Sequence, residues 1–230
     1  VRSSHQVQIL LAPYDNPGDS GKEWNQDNVR ISNIRLFKGF LKQIAIPFQL
    51  LKRILKEKPD ILYLFKPKGF AGFAWMFSFF ASLFSGRQFW VDIDDWEGPG
   101  GVNRENPYPW FWKFIFATQQ YLLPRMAHHV TVASRTLESI IWSLGIDPCQ
   151  VHYLPNCPLN TEICPQLPSI DIPEDGPFIL YVGYFTWGMA LDEIIDAIGT
   201  LKKKGKTVHF VVIGEGVNQS ELMHQAHQSG

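Results

Sequence analysis

The sequence predicts an α/β fold in which a parallel sheet is covered by helices on both faces. Short apolar runs alternate with helix-length segments along the chain, which is typical of repeated strand–helix units. Hydrophobic residues make up 45% of the 230 residues, enough for one full core and part of a second. Turn-rich segments follow several predicted strands, at the sheet edge where such folds bind their ligands.

The first 154 residues contain five predicted strands and four predicted helices. Apolar runs bounded by turn residues predict strands over 7–12, 58–65, 88–93, 128–134 and 151–154. Apolar residues at helical spacing predict helices over 40–56, 69–86, 109–123 and 135–144. Pro47 is expected to kink the first helix near its middle, and 15–21 (DNPGDSG) reads as a loop.

A Pro-rich segment then divides the chain. Prolines recur without any sustained period over 155–177, which predicts a linker between an N-terminal domain (1–154) and a second domain (178–230). Strands over 178–185 and 208–216 and helices over 189–203 and from 219 onward begin a second sheet. Two strand–helix units cannot bury a sheet on both faces, so we expect this second Rossmann-like domain to be incomplete.

Charge and cysteine content limit the class of protein. A net charge of −1 provides no basic face for nucleic acid, so the sequence favours a small-molecule partner. The three cysteines, Cys149, Cys157 and Cys164, form no CxxC pair and leave an odd thiol, which predicts a reducing, cytoplasmic location. No GxGxxG follows a predicted strand, which argues against a dinucleotide-dependent oxidoreductase.

The segment 69–86 (GFAGFAWMFSFFASLFSG) allows three interpretations. It approaches the roughly 18 to 20 apolar residues of a membrane span, yet three serines interrupt it and a strand follows. A fully buried crossover helix is the second interpretation. A helix that partly faces a bilayer is the third, since Lys66, Lys68 and Arg87 flank the segment. The chain starts at Val1 without a signal-peptide pattern and ends inside a helical pattern, so we expect it to be part of a longer protein.

The stretch 89–101 (FWVDIDDWEGPGG) places Asp92, Asp94, Asp95 and Glu97 at the end of a predicted buried strand. A metal cluster is one interpretation, although Asp92 and Asp94 would share a strand face that Asp95 opposes. Sugar or acceptor binding by the carboxylates is a second. A structural loop, in which the carboxylates cap the backbone of the GPGG turn, is a third. The glycines permit close backbone approach to a ligand or merely a tight turn.

Several other side chains have a structural and a functional interpretation. Lys66 and Lys68 would attract a phosphate or the Asp94 region, or form a solvated pair of lysines. His128 and His129 open a strand and are expected to be structural. His224 and His227 share a helical face but lack a third metal ligand. Aromatic side chains suited to stacking on sugars are Trp96, Trp110 and Trp112, with core packing expected for the last two.

Five short segments together resemble GT-B glycosyltransferases, specifically the retaining glycosyltransferase family 4. The segments 58–69 (KPDILYLFKPKG), 91–101 (VDIDDWEGPGG) and 151–156 (VHYLPN) resemble the family's PDVVHVHDP, DVHDLWPE and IPNGVD segments. The segment 178–198 (FILYVGYFTWGMALDEIIDAI) is similar to ILYVGRLxxxKGLDxLIEA, and 208–216 (VHFVVIGEG) is similar to VxLVIVGDG. The order and spacing of these segments carry the resemblance, which covers most of the chain.

The resemblance implies a two-domain enzyme with the acceptor bound by the first domain and the nucleotide sugar by the second. It implies transfer of a sugar from a nucleotide-sugar donor with retention, without a metal and without a cofactor beyond that co-substrate. The acceptor is a glycan, a lipid or a small molecule, and the enzyme would be cytoplasmic or peripheral at the inner face of a membrane. The family's first strand–helix unit is missing here, and its E-x7-E motif would lie beyond residue 230.

The resemblance also implies roles for particular residues. Asp94 matches a family His or Asp that faces donor and acceptor, so Asp94 and then Asp95 are the catalytic candidates. The implied substrate-binding residues are Lys66, Lys68, Trp96, Glu97, Gly100 and Gly101. The implied nucleotide-sugar-binding residues are Gly183, Tyr184, Gly214 and Gly216.

Two positions depart from the family pattern. Tyr184 and Met189 stand where the family has the Arg and Lys that stabilise the departing diphosphate. The backbone amides of 186–190 remain as phosphate donors, but loss of two cations should cost several kcal/mol of transition-state stabilisation. The sequence therefore predicts either a transferase, or a fragment of one, or a non-catalytic module that binds a carbohydrate or a partner.

Overall fold

The computed structural model describes residues 5–14, 16–37, 39, 44–104, 106, 108–157, 175–185 and 189–229. The chain divides into two compact units, Val1–Cys157 and Pro158–Gly230. The predicted linker 155–177 lies mostly outside the described residues.

The first unit begins with a small mixed sheet. Strand β1 (Val7–Leu11) pairs in parallel with β3 (Val29–Asn33), and β2 (Glu23–Gln26) pairs with β3 in the antiparallel direction. The β2–β3 hairpin was not predicted from the sequence. Its signal is the dipeptide Asp27-Asn28, because both residues adopt the positive φ angles, 48° and 64°, of a tight two-residue hairpin turn.

The main sheet of the first unit is parallel, as predicted. Its strands, β4 (Ile61–Phe65), β5 (Gln88–Ile93), β6 (His129–Val132) and β7 (Val151–Tyr153), lie side by side in chain order. The helices are α1 (Ala45–Glu57), α2 (Gly69–Ala81), α3 (Trp110–Met126) and α4 (Arg135–Ser143). Pro47 lies in the first turn of α1, where its missing N–H is not needed, so the predicted mid-helix kink is wrong.

The described helices cover one face of the main sheet. Inward side chains of α2, α3 and α4, including Trp75, Leu123 and Ile141, share a core with Leu64, Val91 and other residues of the strands. On the opposite face, Ile61, Tyr63 and Phe65 are 55%, 43% and 61% exposed. The expectation of helices on both faces is therefore wrong for the described residues. Right-handed crossovers between strands that follow one another in order place every helix on the same face.

Within the aromatic segment 69–86, Gly69–Ala81 forms helix α2, and only some of the apolar side chains of the segment are buried. Gly72, Ala74, Trp75 and Ser78 are buried against the rest of the unit, while Phe80 and Phe84 are exposed. The fully buried crossover helix is thus wrong as an interpretation. No helix among the described residues has the length and apolar character needed to cross a membrane.

The second unit contains one parallel strand pair and two helices. Strand β8 (Phe178–Val182) pairs with β9 (His209–Ile213), with α5 (Leu191–Lys203) between them in sequence and α6 (Gln219–Ser229) after them. A cavity of about 360 Å³ lies among α5, α6 and β9, lined largely by apolar side chains such as Ile195, Phe210 and Leu222. The helices of this unit therefore border a partly open apolar pocket.

The Phe89 side chain tests how much the main core contributes to stability. Its ring is 1% exposed and lies 5.3 Å from the Trp75 ring and 5.2 Å from the Phe79 ring, measured between centroids. Phe89→Ala should lower the free energy of unfolding by about 3–5 kcal/mol, because it leaves a cavity in a packed core. Phe84→Ala, at a fully exposed position, is the matched control and should change it by less than about 0.5 kcal/mol. Urea unfolding measures both, and equal losses would contradict this account of the core.

Candidate functional site

The sequence predicts that three loops share one rim, and two of them, after β4 and β5, meet at the carboxyl edge of the main sheet. The third follows β1, which belongs to the separate small sheet. The loop after β4 contains Lys66 and Lys68, and the loop after β5 contains Asp94, Asp95 and Glu97. The Lys66 backbone N–H donates to the Asp92 carbonyl at 3.2 Å, which joins the two strand ends. Lys66 itself has a left-handed backbone with φ 58°.

The Lys66 ammonium group binds both candidate catalytic carboxylates. Its Nζ lies 3.1 Å from Asp94 Oδ2 and 2.9 Å from Asp95 Oδ2. Strand β5 ends at Ile93, so Asp94 and Asp95 lie beyond the strand and reach the same cation. The sequence-based expectation that the two carboxylates point to opposite faces is therefore wrong, because it applied the alternation of a strand to residues beyond the strand's end at Ile93.

These contacts raise the pKa of Lys66 above its usual value. Burial lowers the pKa, but hydrogen bonds and charge attraction from Asp95 and Asp94 outweigh burial. Because the pKa is raised on folding, the Lys66 contacts with Asp94 and Asp95 stabilise the folded state. This stabilisation is fully present below the ordinary lysine pKa and is lost as the pH rises through the folded-state pKa. The ammonium group is thus charged throughout the neutral range, and it balances part of the negative charge of the two aspartates.

A second ion pair lies deeper in the same edge. Lys68 Nζ contacts Glu97 Oε1 at 2.7 Å, and the Glu97 side chain is 1% exposed. The same Nζ lies 5.6 Å from the centroid of the Phe116 ring of α3. Asn103, itself 3% exposed, donates to the Glu97 carbonyl at 2.8 Å. Burial prevents Glu97 from touching a ligand in this conformation, so its geometry favours a structural function, and the substrate-binding assignment stays a prediction.

The Gly-rich segment after Glu97 folds back on Trp96. The Trp96 indole Nε1 donates to the Pro99 carbonyl at 3.0 Å, and the Val102 N–H donates to the Trp96 carbonyl at 3.0 Å. A Cβ atom added at Gly101 would lie 1.8 Å from the Trp96 carbonyl oxygen. Gly100 needs no such close approach but has φ +78°. Packing within the loop therefore explains Gly101 and backbone conformation explains Gly100, while their binding functions stay predictions.

Asp92 points away from this cluster, into a polar network that the sequence analysis missed. On the open face of the sheet, the Tyr63 hydroxyl donates to Asp92 Oδ1 at 2.7 Å and lies 2.7 Å from Thr131 Oγ1, and Thr131 also donates to Asp92. Burial, followed by the hydrogen bond to Asp92, raises the pKa of Tyr63 despite an opposing effect of Thr131. Only the strand register shows that these residues are neighbours, so the sequence alone carried no signal for them.

Some buried polar atoms at this edge have no hydrogen-bond partner among the described residues. They include Asp94 Oδ1, Glu97 Oε2, Asn103 Oδ1 and Gln119 Oε1. Unpaired buried acceptors cost free energy, which makes them places where a bound group or water would be stabilised. Of the two predicted catalytic residues, only Asp94 has such an unpaired buried atom among the described residues, and its side chain is 15% exposed. Across the described part of the chain, no three His, Cys, Asp or Glu side chains are placed to hold one metal ion.

The predicted nucleotide-sugar residues lie in the second unit, where two loops cross. The Gly183 N–H donates to the Ile213 carbonyl at 3.0 Å, and the Tyr181 hydroxyl donates to the Tyr184 carbonyl at 3.0 Å. A Cβ atom at Gly214 would lie 1.9 Å from the Gly183 carbonyl oxygen, and one at Gly216 would lie 2.3 Å from the Phe185 carbonyl oxygen. Tyr184 and Met189 are 54% and 48% exposed. Residues 186–188, predicted as phosphate donors through their backbone, lie outside the described residues.

The histidines at the start of β6 and the tryptophans of α3 differ in how far they match the sequence-based expectations. His128 Nδ1 accepts the Phe89 backbone N–H at 3.0 Å, which confirms its structural function, and His129 Nδ1 lies 3.0 Å from His152 Nε2. Trp112 packs 5.3 Å from the Phe70 ring and 5.6 Å from the Phe116 ring. Trp110 is 79% exposed, so the expectation that it packs in the core is wrong.

The buried Lys68–Glu97 pair permits a double-mutant test. Lys68→Met leaves Glu97 buried without its cation and should lower the free energy of unfolding by about 3–5 kcal/mol. The double variant Lys68→Met/Glu97→Leu should lose much less, because it removes both charges. Lys22→Met, which breaks the exposed Lys22–Asp19 pair at 2.8 Å, is the control and should cost at most about 1 kcal/mol. Chemical unfolding of the wild type and the three variants measures these losses. A double variant as unstable as Lys68→Met would show that the unpaired charge of Glu97 is not the cause of the destabilisation.

Comparisons with known proteins agree with this architecture. The model of the family described as "Glycosyl transferase 4-like domain" matches residues 1–157. No curated protein matches the chain significantly. A solved E. coli structure named as trehalose-6-phosphate, bound with UDP-2-fluoro glucose, has a TM-score of 0.59 at 10% identity and covers 96% of this chain and 61% of its own. The apo form of a lipopolysaccharide outer core galactosyltransferase has a TM-score of 0.50 at 16% identity and covers 88% of this chain and 50% of its own.

Such low identities show the fold alone, which is the Rossmann-like α/β fold of GT-B proteins predicted from the sequence. The chain spans only 50% to 61% of the length of these two structures. The family match covers well over half of the chain and includes both loops of the Lys66 and Lys68 clusters. This chain therefore belongs to the family of glycosyl transferase 4-like domains.

Proposed function

We propose that this chain is part of a glycosyltransferase that moves a sugar from a nucleotide-sugar donor to an acceptor. The observation that carries the proposal is the family match over residues 1–157, which contains the Lys66–Asp94–Asp95 cluster at the ligand-binding edge of the sheet. The two structural neighbours support it through their fold. Retention of anomeric configuration is proposed from the family resemblance alone.

Asp94 is the proposed group for binding and orienting sugar hydroxyls. Lys66 holds its Oδ2 atom, while its Oδ1 atom is buried and has no partner among the described residues. Because Oδ1 has no protein partner to lose, a shift of the loop that uncovers this atom would let it accept a strong, charge-assisted hydrogen bond from a sugar hydroxyl. Asp95, whose side chain is 47% exposed, is the second candidate.

Metal-independent chemistry is part of the proposal and has a physical reason. The two carboxylates that could bind a metal at this site, Asp94 and Asp95, already share the Lys66 ammonium group. A divalent cation placed there would have to displace that lysine or suffer its repulsion. Stabilisation of the leaving diphosphate would then fall to backbone amides and to cations outside this cluster.

The second candidate function is a non-catalytic module that binds a carbohydrate or a protein partner. Tyr184 and Met189 favour it, because both are exposed side chains without charge where relatives carry cations. In either case, the acceptor or ligand we propose is a glycan, a lipid or a small molecule. We also propose a cytoplasmic location with peripheral contact at the inner face of a membrane, as the aromatic segment 69–86 suggests.

Donor turnover tests the transferase proposal. The full-length gene product, incubated with UDP- and GDP-sugars and a pool of glycan, lipid or small-molecule acceptors, should release nucleoside diphosphate. Asp94→Asn should reduce this rate by about 100-fold, if Asp94 contacts the reacting sugar. Asp60→Asn removes an exposed carboxylate at the other end of β4 and is the matched control. Absence of turnover with every pool would remove the transferase proposal.

Diphosphate binding separates the two candidate functions. In equilibrium dialysis against uridine and guanosine diphosphates, a transferase should bind one of them, whereas a non-catalytic module should ignore both. The double variant Tyr184→Arg/Met189→Lys should bind at least about tenfold more tightly, because each restored cation gains a charge-assisted contact. Phe178→Arg/Met223→Lys adds the same charge at other exposed positions of the unit. Equal gains in both double variants would mean that the loop holds no diphosphate site.

A further inference from the structure

We propose that the outward side of helices α1 and α2 docks on a membrane surface rich in anionic lipid. This deepens the membrane contact of the proposed function by naming the surface and the lipid charge. The surface, called here the aromatic face, consists of Phe48, Lys52 and Lys56 of α1 together with Phe73, Phe77, Phe80, Leu83 and Phe84 of α2 and the turn after it.

The phenylalanines of α2 form a stripe on the side opposite its core contacts. Phe73, Phe77 and Phe80 recur at spacings of four and three residues, which places them on one side of the helix. The other side carries the buried Trp75 and Ser78. The helix is therefore apolar on both sides, and core packing explains only one of them.

Exposure increases toward the end of this stripe. Phe80 and Leu83 are 57% and 56% exposed, and Phe84 is fully exposed at 102%. Three large apolar side chains within five residues are thus exposed to water. Clustered exposure of this kind is typical of a surface that binds a protein or a membrane.

Helix α1 extends the same surface and adds positive charge. The Phe48 ring is 57% exposed and lies 6.2 Å from the Phe77 ring, so the two helices share this side. Lys52 and Lys56 follow Phe48 by four and eight residues and are also exposed. Glu57, the acidic residue of α1, instead contacts Arg53 at 3.4 Å.

Charge identifies a lipid surface as the occupant. Helix α2 contains no Asp or Glu, so Glu57 is the sole acidic residue of α1 and α2, against the basic residues Lys52, Arg53 and Lys56. A different apolar surface of this unit, the open sheet face with Ile61 and Phe65, lies on strands that contain no Lys or Arg. Exposed aromatic side chains beside lysines are typical of helices that lie in the interface of anionic bilayers.

Vesicle co-sedimentation tests the proposal with the full-length protein and no sugar nucleotide. Binding is expected to vesicles that mix phosphatidylglycerol with phosphatidylcholine, and much less to phosphatidylcholine alone. The triple variant Phe80→Ser/Leu83→Ser/Phe84→Ser should reduce partitioning by about tenfold or more, because it removes the exposed apolar area. Lys52→Glu/Lys56→Glu should lower binding to the anionic vesicles only, and added salt should have the same effect.

Ile61→Ser is the matched control, since Ile61 is 55% exposed on the opposite face of the sheet. It should leave partitioning unchanged, and all variants should keep the wild-type unfolding midpoint. No binding to anionic vesicles, or binding that the triple variant leaves intact, would overturn the proposal. So would light scattering that shows a dimer abolished by the triple variant, because a second copy would then cover the face. Since no donor enters the assay, either failure leaves the transferase proposal standing.

Discussion

The buried Lys68–Glu97 ion pair is the interaction on which the candidate site depends. Lys68 precedes α2 and Glu97 follows β5, so the 2.7 Å contact joins two loops that are far apart in sequence. Phe116 brings α3 to the same ammonium group. Because the buried Glu97 carboxylate would be unfavourable without its cation, the loops are constrained to keep one relative position. The same constraint positions the more exposed Lys66–Asp94–Asp95 cluster, because its residues lie two or three places earlier in each loop.

The loop after β5 is shaped by packing before any ligand is considered. Its tryptophan carbonyl and indole are both engaged by the backbone of the same loop, and the close approach at Gly101 admits no side chain. The carboxylates therefore divide by depth: Glu97 is enclosed, Asp94 is partly accessible and Asp95 is nearly half exposed. A stretch that the sequence presents as four similar acids thus contains one buried carboxylate and two that are partly exposed, with Asp92 directed to the other face of the sheet.

The pattern of apolar residues was sufficient to predict the strands of the main sheet, but it did not predict which side chains contact each other in the candidate site. The strand Gln88–Ile93 was predicted with its observed bounds, because a buried parallel strand is a continuous apolar run. The β2–β3 hairpin was missed because its strands are short and β2 is exposed along its whole length. The meeting of the two loops was predicted from topology, yet the shared contact of Lys66 with both aspartates depended on where β5 ends. The Tyr63–Asp92–Thr131 network required the register of three strands, which no local pattern encodes.

The second unit shows why a motif of glycines is weaker support for nucleotide binding than a pair of cations. Gly214 and Gly216 are required where the loops after β8 and β9 cross, because added Cβ atoms would overlap carbonyl oxygens of Gly183 and Phe185. Selection for this crossing alone would keep those glycines in a chain that had lost its ligand. Side chains at Tyr184 and Met189 have no comparable packing constraint, since both are about half exposed. Their lack of charge is therefore the feature of this unit that bears most directly on whether a diphosphate binds there, and the glycines are neutral on that question.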